Sequence, residues 1–316
     1  MKKLSEIVAV HEFKHVHSDF VVAFGDEHDR VVEIIYTGNS GGLFESGYYC
    51  ADSIIKPNVS ISSMVGCPVS CQFCELGRAR FGGLLTPEEM YEQVLWTLSQ
   101  AHKFTDVNVP SKVSMGKSGE PLLNPNLLAG LERISELGVS FRIPTSFPRG
   151  GLAERVFEEV AQFARRYSKP VQLNISLIST SERYRKETTR IGADFSTIRK
   201  GIEKWMTVNP PPKGRKPNVA LIIANDTPVD PNQLLGMLPP ELVNVCFRPY
   251  VETSNGKNSG LSLLSEGKLL EFKGRFEECG YSVNIAHVST PVERKFSLSS
   301  NSTLERYRKQ TSSGKI

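Results

Sequence analysis

The amino-acid sequence predicts an α/β fold, a partial (β/α)6 barrel with a small β-rich extension at its N-terminus. Two observations predict the barrel. From Val59 onward, apolar runs of strand length alternate with longer segments of helical period. Strand–helix–strand alternation of this kind makes a parallel sheet with crossover helices, and six units close most of the way round. A third observation sets the extension apart: residues 1–58 are strand-like and turn-rich, without helical period. The expected divisions are 1–58 for the extension, 59–296 for the (β/α)6 core and 297–316 for a polar, Ser-rich tail.

In the extension the apolar runs are Phe20–Phe24 and Val31–Tyr36, set off by the glycine-heavy stretch Thr37–Gly47. In the core the strand candidates are Val59–Val65, Lys112–Met115, Val139–Ile143, Val171–Ile178, Val219–Ala224, Val243–Phe247 and Tyr281–His287. The helix candidates between them lie at 86–103, 124–137, 151–167, 194–207, 230–238 and 262–279. The first has a clear start: Thr86 to cap, Pro87 at the first position, and Glu89 to complete a capping box. The run Pro210–Pro217 reads as an exposed, basic, proline-rich loop. In such a barrel, ligands sit at the carboxyl ends of the strands.

With 39% hydrophobic and 23% charged residues over 316 positions, the chain is of ordinary globular composition and long enough to bury a core. The net charge of +4 is too mild to argue for a polyanionic partner by itself. The start MKKLSEIVAVHEFKH lacks the apolar segment of a signal peptide, and no window reaches the run a membrane span needs. A cytoplasmic protein with no membrane partner is expected. Six cysteines fit disulfides poorly, because three of them fall within eight residues and a reducing compartment favours a metal site.

Those three, Cys67, Cys71 and Cys74, form a C-x3-C-x2-C run just after the first core strand. Cysteine thiolates are the usual ligands of iron–sulfur clusters. Three of them on a [4Fe–4S] cubane leave one iron open, as catalytic metal sites do. A structural zinc site needs a fourth ligand at short spacing; the next histidine is His102, beyond the capped helix, and no second C-x2-C follows. The cluster is the better reading.

A C-x3-C-x2-C run with an aromatic before its last cysteine, here Phe73, resembles the signature of radical S-adenosylmethionine (SAM) enzymes. The segments Val59–Cys67, Leu84–Glu89, Gly119-Glu120-Pro121-Leu122-Leu123-Asn124, Asn174–Leu177 and Val243–Val245 narrow the resemblance to the radical SAM methyltransferases that act on adenine C2 or C8 of ribosomal RNA. The resemblance runs from about Val31 to His287. It implies a radical SAM barrel, a [4Fe–4S] cluster and SAM as cofactors, a small electron donor such as a flavodoxin or ferredoxin, and an RNA base or nucleotide as substrate. Gly119 and Glu120 would then bind the SAM amino group. Ser176 and Leu177 would face its ribose and adenine, with Ser146 beside them. Glu33 falls at the family's proton acceptor, though an exposed strand carboxylate is the competing reading.

The sequence departs from that family in both of its non-cluster cysteines. Ser60 stands where the family has its resolving cysteine, and Thr290–Ser297, the counterpart of the methyl-carrying segment, contains none. A serine alkoxide is far less accessible than a thiolate at neutral pH, so the family's methyl-transfer route is expected to be closed. Only 58 residues precede the core, so the family's helical RNA-binding extension is expected to be absent. Cys50, Cys246 and Cys279 are substitute thiols to test, Cys246 foremost. Lys213–Lys216 with Arg183, Arg185, Lys186 and Arg190 read either as a phosphate-binding rim or as solvated surface, as do Arg306, Arg308 and Lys309 of the tail. The expected activity is radical generation from SAM on an unidentified substrate. A methyltransferase with relocated thiols and a non-catalytic cluster sensor are the rivals.

Overall fold

The apolar runs of the extension become three antiparallel strands, β1 (His17–Gly25), β2 (Asp29–Thr37) and β3 (Leu43–Ala51). The computed structural model describes residues 11–25, 29–38, 41–51, 58–78, 81–103, 112–211, 214–286 and 307. The stretch 290–297, the tail except Tyr307, and residues 212 and 213 of the proline-rich loop lie outside the described residues. Two compact units divide the chain, one from Met1–Pro68, Ala79–Arg142 and Ser289–Ile316, the other from Val69–Arg78 and Ile143–Val288.

In the first unit, β4 (Asn58–Ser60) pairs antiparallel with β3 and parallel with β7 (Lys112–Ser114), so the sheet changes from antiparallel to parallel there. The start of β8 (Ser140–Thr145) continues the parallel run. The expected strand Val59–Val65 is split into β4 and β5 (Met64–Val65), and β5 pairs with β6 (Gly83–Leu84). Ser62 makes the break, because its hydroxyl donates to Glu45 O at 2.5 Å and so competes with the ladder. The glycine-heavy stretch Thr37–Gly47 does not separate the runs throughout. The turn is confined to Gly38–Gly42, and β3 already starts at Leu43.

Pairing fixes which side chains share a face. Val32, Ile34 and Tyr36 stand opposite Tyr48, Ser46 and Phe44 and form one buried face. The helix α1 (Pro87–His102) lies against β2, β3 and β4, and the Ser46 hydroxyl meets Thr97 Oγ1 at 2.6 Å. The capping box is complete: Thr86 accepts from Glu89 N, and Glu89 accepts from Thr86 N at 2.8 Å. Glu92, buried on α1, accepts the backbone N–H groups of Lys14, His15 and Val16 at 2.7–3.2 Å, a contact that nothing in its sequence neighbourhood announces. Beyond β7, Asn124 and α2 (Leu127–Ser135) complete the unit.

In the second unit, β9 (Val171–Ile178), β10 (Asn218–Ile223), β11 (Asn244–Pro249) and β12 (Val283–Ile285) pair in parallel, in chain order. The helices α3 (Gly151–Arg166), α5 (Phe195–Val208), α6 (Pro231–Met237) and α8 (Glu266–Glu278) fall where helical period was expected. Two short helices, α4 (Glu182–Thr188) and α7 (Ser254–Asn258), were not expected. Side-chain caps hold them: Ser181 Oγ accepts from Tyr184 N and Thr253 Oγ1 from Gly256 N. The apolar face of this sheet carries Ile175, Val219, Leu221, Val245 and Phe247, all fully buried. Phe157 meets Trp205 between α3 and α5, and Phe276 of α8 packs edge-on against Phe247. The fold is thus α/β with a mostly parallel sheet, and no closed barrel forms among the described residues.

Loss of the α1 cap is the simplest check on the first unit. Thr86→Ala should cost about 1 kcal/mol of stability, read as a lowered thermal midpoint with unchanged far-ultraviolet circular dichroism.

Candidate functional site

The cysteine loop follows β5. Gly66 and Ser70 both adopt left-handed backbone, with φ of 71° and 54°. Cys74 N–H donates to Cys71 O at 3.2 Å, and Gly77 N–H donates to Cys74 O at 2.8 Å, opening the 3₁₀ turn Glu75–Arg78. Within the second unit the loop is pinned through its backbone. Asn255 Nδ2 donates to Cys74 O at 2.7 Å, Thr253 Oγ1 to Phe73 O at 2.8 Å, and Gln72 N–H to Thr188 O at 3.2 Å. Phe73 packs against the cluster of Ala224, Tyr250 and Leu261. All three cysteines are half-buried. No group of His, Cys, Asp or Glu side chains among the described residues is gathered as a ready-made metal cage. What fits a cluster here is the donor chemistry, three thiols within eight residues on a loop fixed by its carbonyls.

Gly119 and Glu120 form a tight turn in the first unit. Gly119 has φ 113°, and a Cβ there would stand 2.6 Å from Ser63 Oγ, so only glycine fits. Glu120 is buried and accepts from Leu122 N at 3.3 Å, capping the 3₁₀ turn Pro121–Leu123. The turn is laced to residues 61–64. Lys117 N–H donates to Ile61 O, Ser118 N–H to Ser62 Oγ, and Asn124 Nδ2 to Ser63 O at 2.7 Å. Beside Gly119, the Ser63 and Ser118 hydroxyls are buried and have no hydrogen-bond partner. Buried polar atoms are rarely left so. A polar ligand at this turn would satisfy them, and the residues therefore fit SAM.

Glu33 is not the exposed strand carboxylate that the sequence allowed. It is fully buried on β2, opposite Gly47 of β3. Lys117 Nζ lies 2.6 Å from its Oε2, Tyr49 donates its hydroxyl to Oε1, and Glu45 Oε2 is 4.0 Å from the same ammonium. Burial works against the Lys117 charge, but Glu33, Tyr49 and Glu45 outweigh it and raise its pKa well above the ordinary lysine value. Burial first, and then the Glu33 charge, push the Tyr49 hydroxyl well above its usual value. Lysine 117 therefore stays charged and tyrosine 49 neutral. Ser60 ends β4 in the same register row: Glu33, Gly47, Ser60, Ser114 and Arg142 stand in line across β2, β3, β4, β7 and β8. Sequence reasoning missed Lys117, whose only signal was its place two residues before Gly119.

Ser146 and Ser176 lie near the carboxyl ends of β8 and β9 in the second unit, and Leu177 follows in β9 with its side chain fully buried. Arg185 of α4 is no part of a phosphate-binding rim. It is buried, and its guanidinium donates to Ser176 O at 2.5 Å, Leu177 O at 3.2 Å, Ala193 O at 3.2 Å and Ser146 O. Arg183 and Lys186 pair with Glu187 and Glu182 on the same exposed helix, so α4 offers no net basic face. Cys246 is buried on β11, in a register row with Ser176, Ala220 and Asn284. Two rows away, Asn218 Nδ2 donates to Asn174 Oδ1 at 3.1 Å and Asn244 Nδ2 to Asn218 Oδ1 at 3.4 Å. Cys50 and Cys279 are half-buried on β3 and at the end of α8.

The family described as the radical SAM superfamily matches residues 61–212. A probable dual-specificity RNA methyltransferase RlmN of Carboxydothermus hydrogenoformans is 30% identical over 72% of this chain and 64% of its own length. Its counterpart in Chlorobaculum tepidum is 31% identical over 67% of this chain and 58% of its own. Across six such relatives this chain spans 32% to 64% of their length. A radical SAM methyltransferase from Sphaerobacter thermophilus superposes with a TM-score of 0.71 at 16% identity, over 90% of this chain and 81% of that one. Streptococcus suis SuiB bound to SAM superposes with a TM-score of 0.52 at 15% identity, over 74% and 51%. At such identity the two structures show a shared fold. No described helix is long and apolar enough to cross a membrane.

Removing one partner of a buried ion pair strands the other, so Lys117→Met should cost about 3–5 kcal/mol. Adding Glu33→Gln should recover much of that loss. Because the Lys117 pKa is raised on folding, its contribution is complete below the ordinary lysine value and fades only as pH climbs through the raised one. Urea unfolding of the three chains, at neutral pH and in alkali, checks both.

Proposed function

We propose that this chain, in which the radical SAM superfamily matches residues 61–212, is a SAM-cleaving radical generator whose substrate is an RNA base, a nucleotide or another small metabolite. The family's cofactors are a [4Fe–4S] cluster and SAM; when bound, they supply a 5′-deoxyadenosyl radical that abstracts a hydrogen atom. On this reading Cys67, Cys71 and Cys74 hold the cluster. Gly119 and Glu120 receive the SAM amino group, a charge-assisted bond to a buried carboxylate. Ser146, Ser176 and Leu177 line the ribose and adenine. Glu33 takes up a proton only once its carboxylate is released by Lys117 and Tyr49. Reducing equivalents come from a flavodoxin- or ferredoxin-like donor, and 59–296 acts as the catalytic core.

The observation that carries the proposal is that one chain keeps both the three-cysteine loop and a buried Gly119–Glu120 turn flanked by two unsatisfied hydroxyls. A cluster sensor has no use for the second. Ser60 in place of the family's resolving cysteine separates the proposal from RNA methylation by that family's route. A relocated thiol is the second reading, favoured only by Cys246 sharing a row with Ser176.

Anaerobically reconstituted protein, given dithionite and SAM, should release 5′-deoxyadenosine. Cys71→Ala should lose iron and product together, and Glu120→Gln should weaken SAM binding about tenfold or more. Total RNA incubated with methyl-labelled SAM should take up no label. Label that enters RNA and disappears with Cys246→Ala would instead establish the methyltransferase reading.

A further inference from the structure

The ends of β8 and β9 are strained in the same way. Phe147, just after Ser146, has φ 54°, and Ile178, just after Leu177, has φ 75°. Left-handed backbone is uncommon for any non-glycine residue and a genuine outlier for a β-branched one. It persists only where the surroundings over-determine it, and such outliers gather at ligand sites. The β9 ladder is also irregular there. Ala220 faces Ser176 but Leu221 faces Ile178, so Leu177 is an extra residue, a β-bulge. A bulge disrupts the ladder locally and re-aims the strand.

One side chain meets both irregularities. Arg185 Nη1 donates to Ser176 O and Leu177 O, on either side of the bulge, while Nη2 donates to Ser146 O and Nε to Ala193 O. The guanidinium is planar and always charged, with its donors in a fixed fork, so it holds these carbonyls in one relative geometry. Its own backbone is held in turn, since Thr189 Oγ1 donates to Arg185 O at 2.9 Å. The side chain of Leu177 is fully buried. Any contact it makes with a ligand is therefore through the backbone that Arg185 fixes.

We propose that Arg185 is a positioning residue that sets the adenosine-binding edge of the SAM site by clamping the carbonyls of Ser146, Ser176 and Leu177. The proposal rests on the reading of those three residues as the adenosine edge. It goes beyond that reading in assigning the edge's geometry to a buried guanidinium that itself touches no ligand. It also accounts for a buried arginine in a helix whose other basic residues pair with glutamates in solvent.

The test uses the full chain, reconstituted anaerobically, as wild type, Arg185→Lys and Gly192→Ala. The second variant keeps the arginine but would place a methyl group 3.0 Å from its Nη2 and 2.6 Å from Thr189 Oγ1, displacing the fork without removing its charge. Iron and sulfide content, circular dichroism, SAM affinity by equilibrium dialysis, and the change that L-methionine makes in the electron paramagnetic resonance spectrum of the reduced cluster are measured. Arg185→Lys should retain wild-type iron and fold but bind SAM about tenfold or more weakly, and Gly192→Ala about threefold more weakly. The response to L-methionine, which lacks the adenosine, should be unchanged in both. SAM affinity within about twofold of wild type in either folded variant overturns the proposal. So does an equal loss of the methionine response. If Arg185→Lys does not fold, Gly192→Ala decides. Wild-type protein that holds its cluster and binds no SAM would sink the functional reading itself, and the role of Arg185 with it.

Discussion

The two-residue alternation of the strands is the constraint from which the site follows. Each parallel strand must bury one face under helices, and its alternate residues then stand together on the other. In the first unit Val32, Ile34 and Tyr36 go to the helix-covered face, which leaves Glu33 opposite Gly47 and in line with Ser60, Ser114 and Arg142. In the second, Val219, Leu221, Val245 and Phe247 go inward to the helices, which leaves Asn218, Ala220, Asn244 and Cys246 together beside Asn174 and Ser176. A slip of one residue in any of these ladders would exchange the two sets.

Placing polar groups on buried faces is costly unless each finds a partner, and the two units meet that demand differently. The first answers Glu33 with the ammonium of Lys117 and the hydroxyl of Tyr49. The second answers Arg185 with backbone carbonyls at strand ends where the ladder is broken. In both, the ion lies close in sequence or space to residues expected to meet SAM, and Arg185 also binds their backbone. Lys117 lies two residues from Gly119, and Arg185 reaches Ser146 and Ser176. The Ser63 and Ser118 hydroxyls are among the buried polar atoms left unsatisfied, and they lie beside Gly119.

The departures from the methyltransferase pattern fall on this same scaffold without disturbing it. Ser60 fills a place where the family has a thiol, and it does so as an ordinary buried residue of β4, paired with Gly47 and Ser114. The neighbouring Glu33 is tied up by a lysine. On the proposed reading, the residues that generate the radical are separate in the sequence from the positions where the methyltransferases carry their extra thiols. The chain has the loop of Cys67, Cys71 and Cys74 and the Gly119–Glu120 turn, and a serine at position 60.

Much of this was legible in the sequence because it is local. The C-x3-C-x2-C spacing, the Thr86 capping box and the period of each core strand and helix depend on residues within one or two turns of one another. The alternation of parallel strands and crossover helices followed from those periods. What the tertiary structure alone decided involves partners far apart in sequence. Glu33 meets Lys117 across 84 positions and Arg185 reaches Ser146 across 39. A glutamate on a strand and an arginine in a stretch rich in basic residues look solvent-exposed when read locally, and here both are buried. Burial of a charge is set by what packs over it, and no local pattern encodes that.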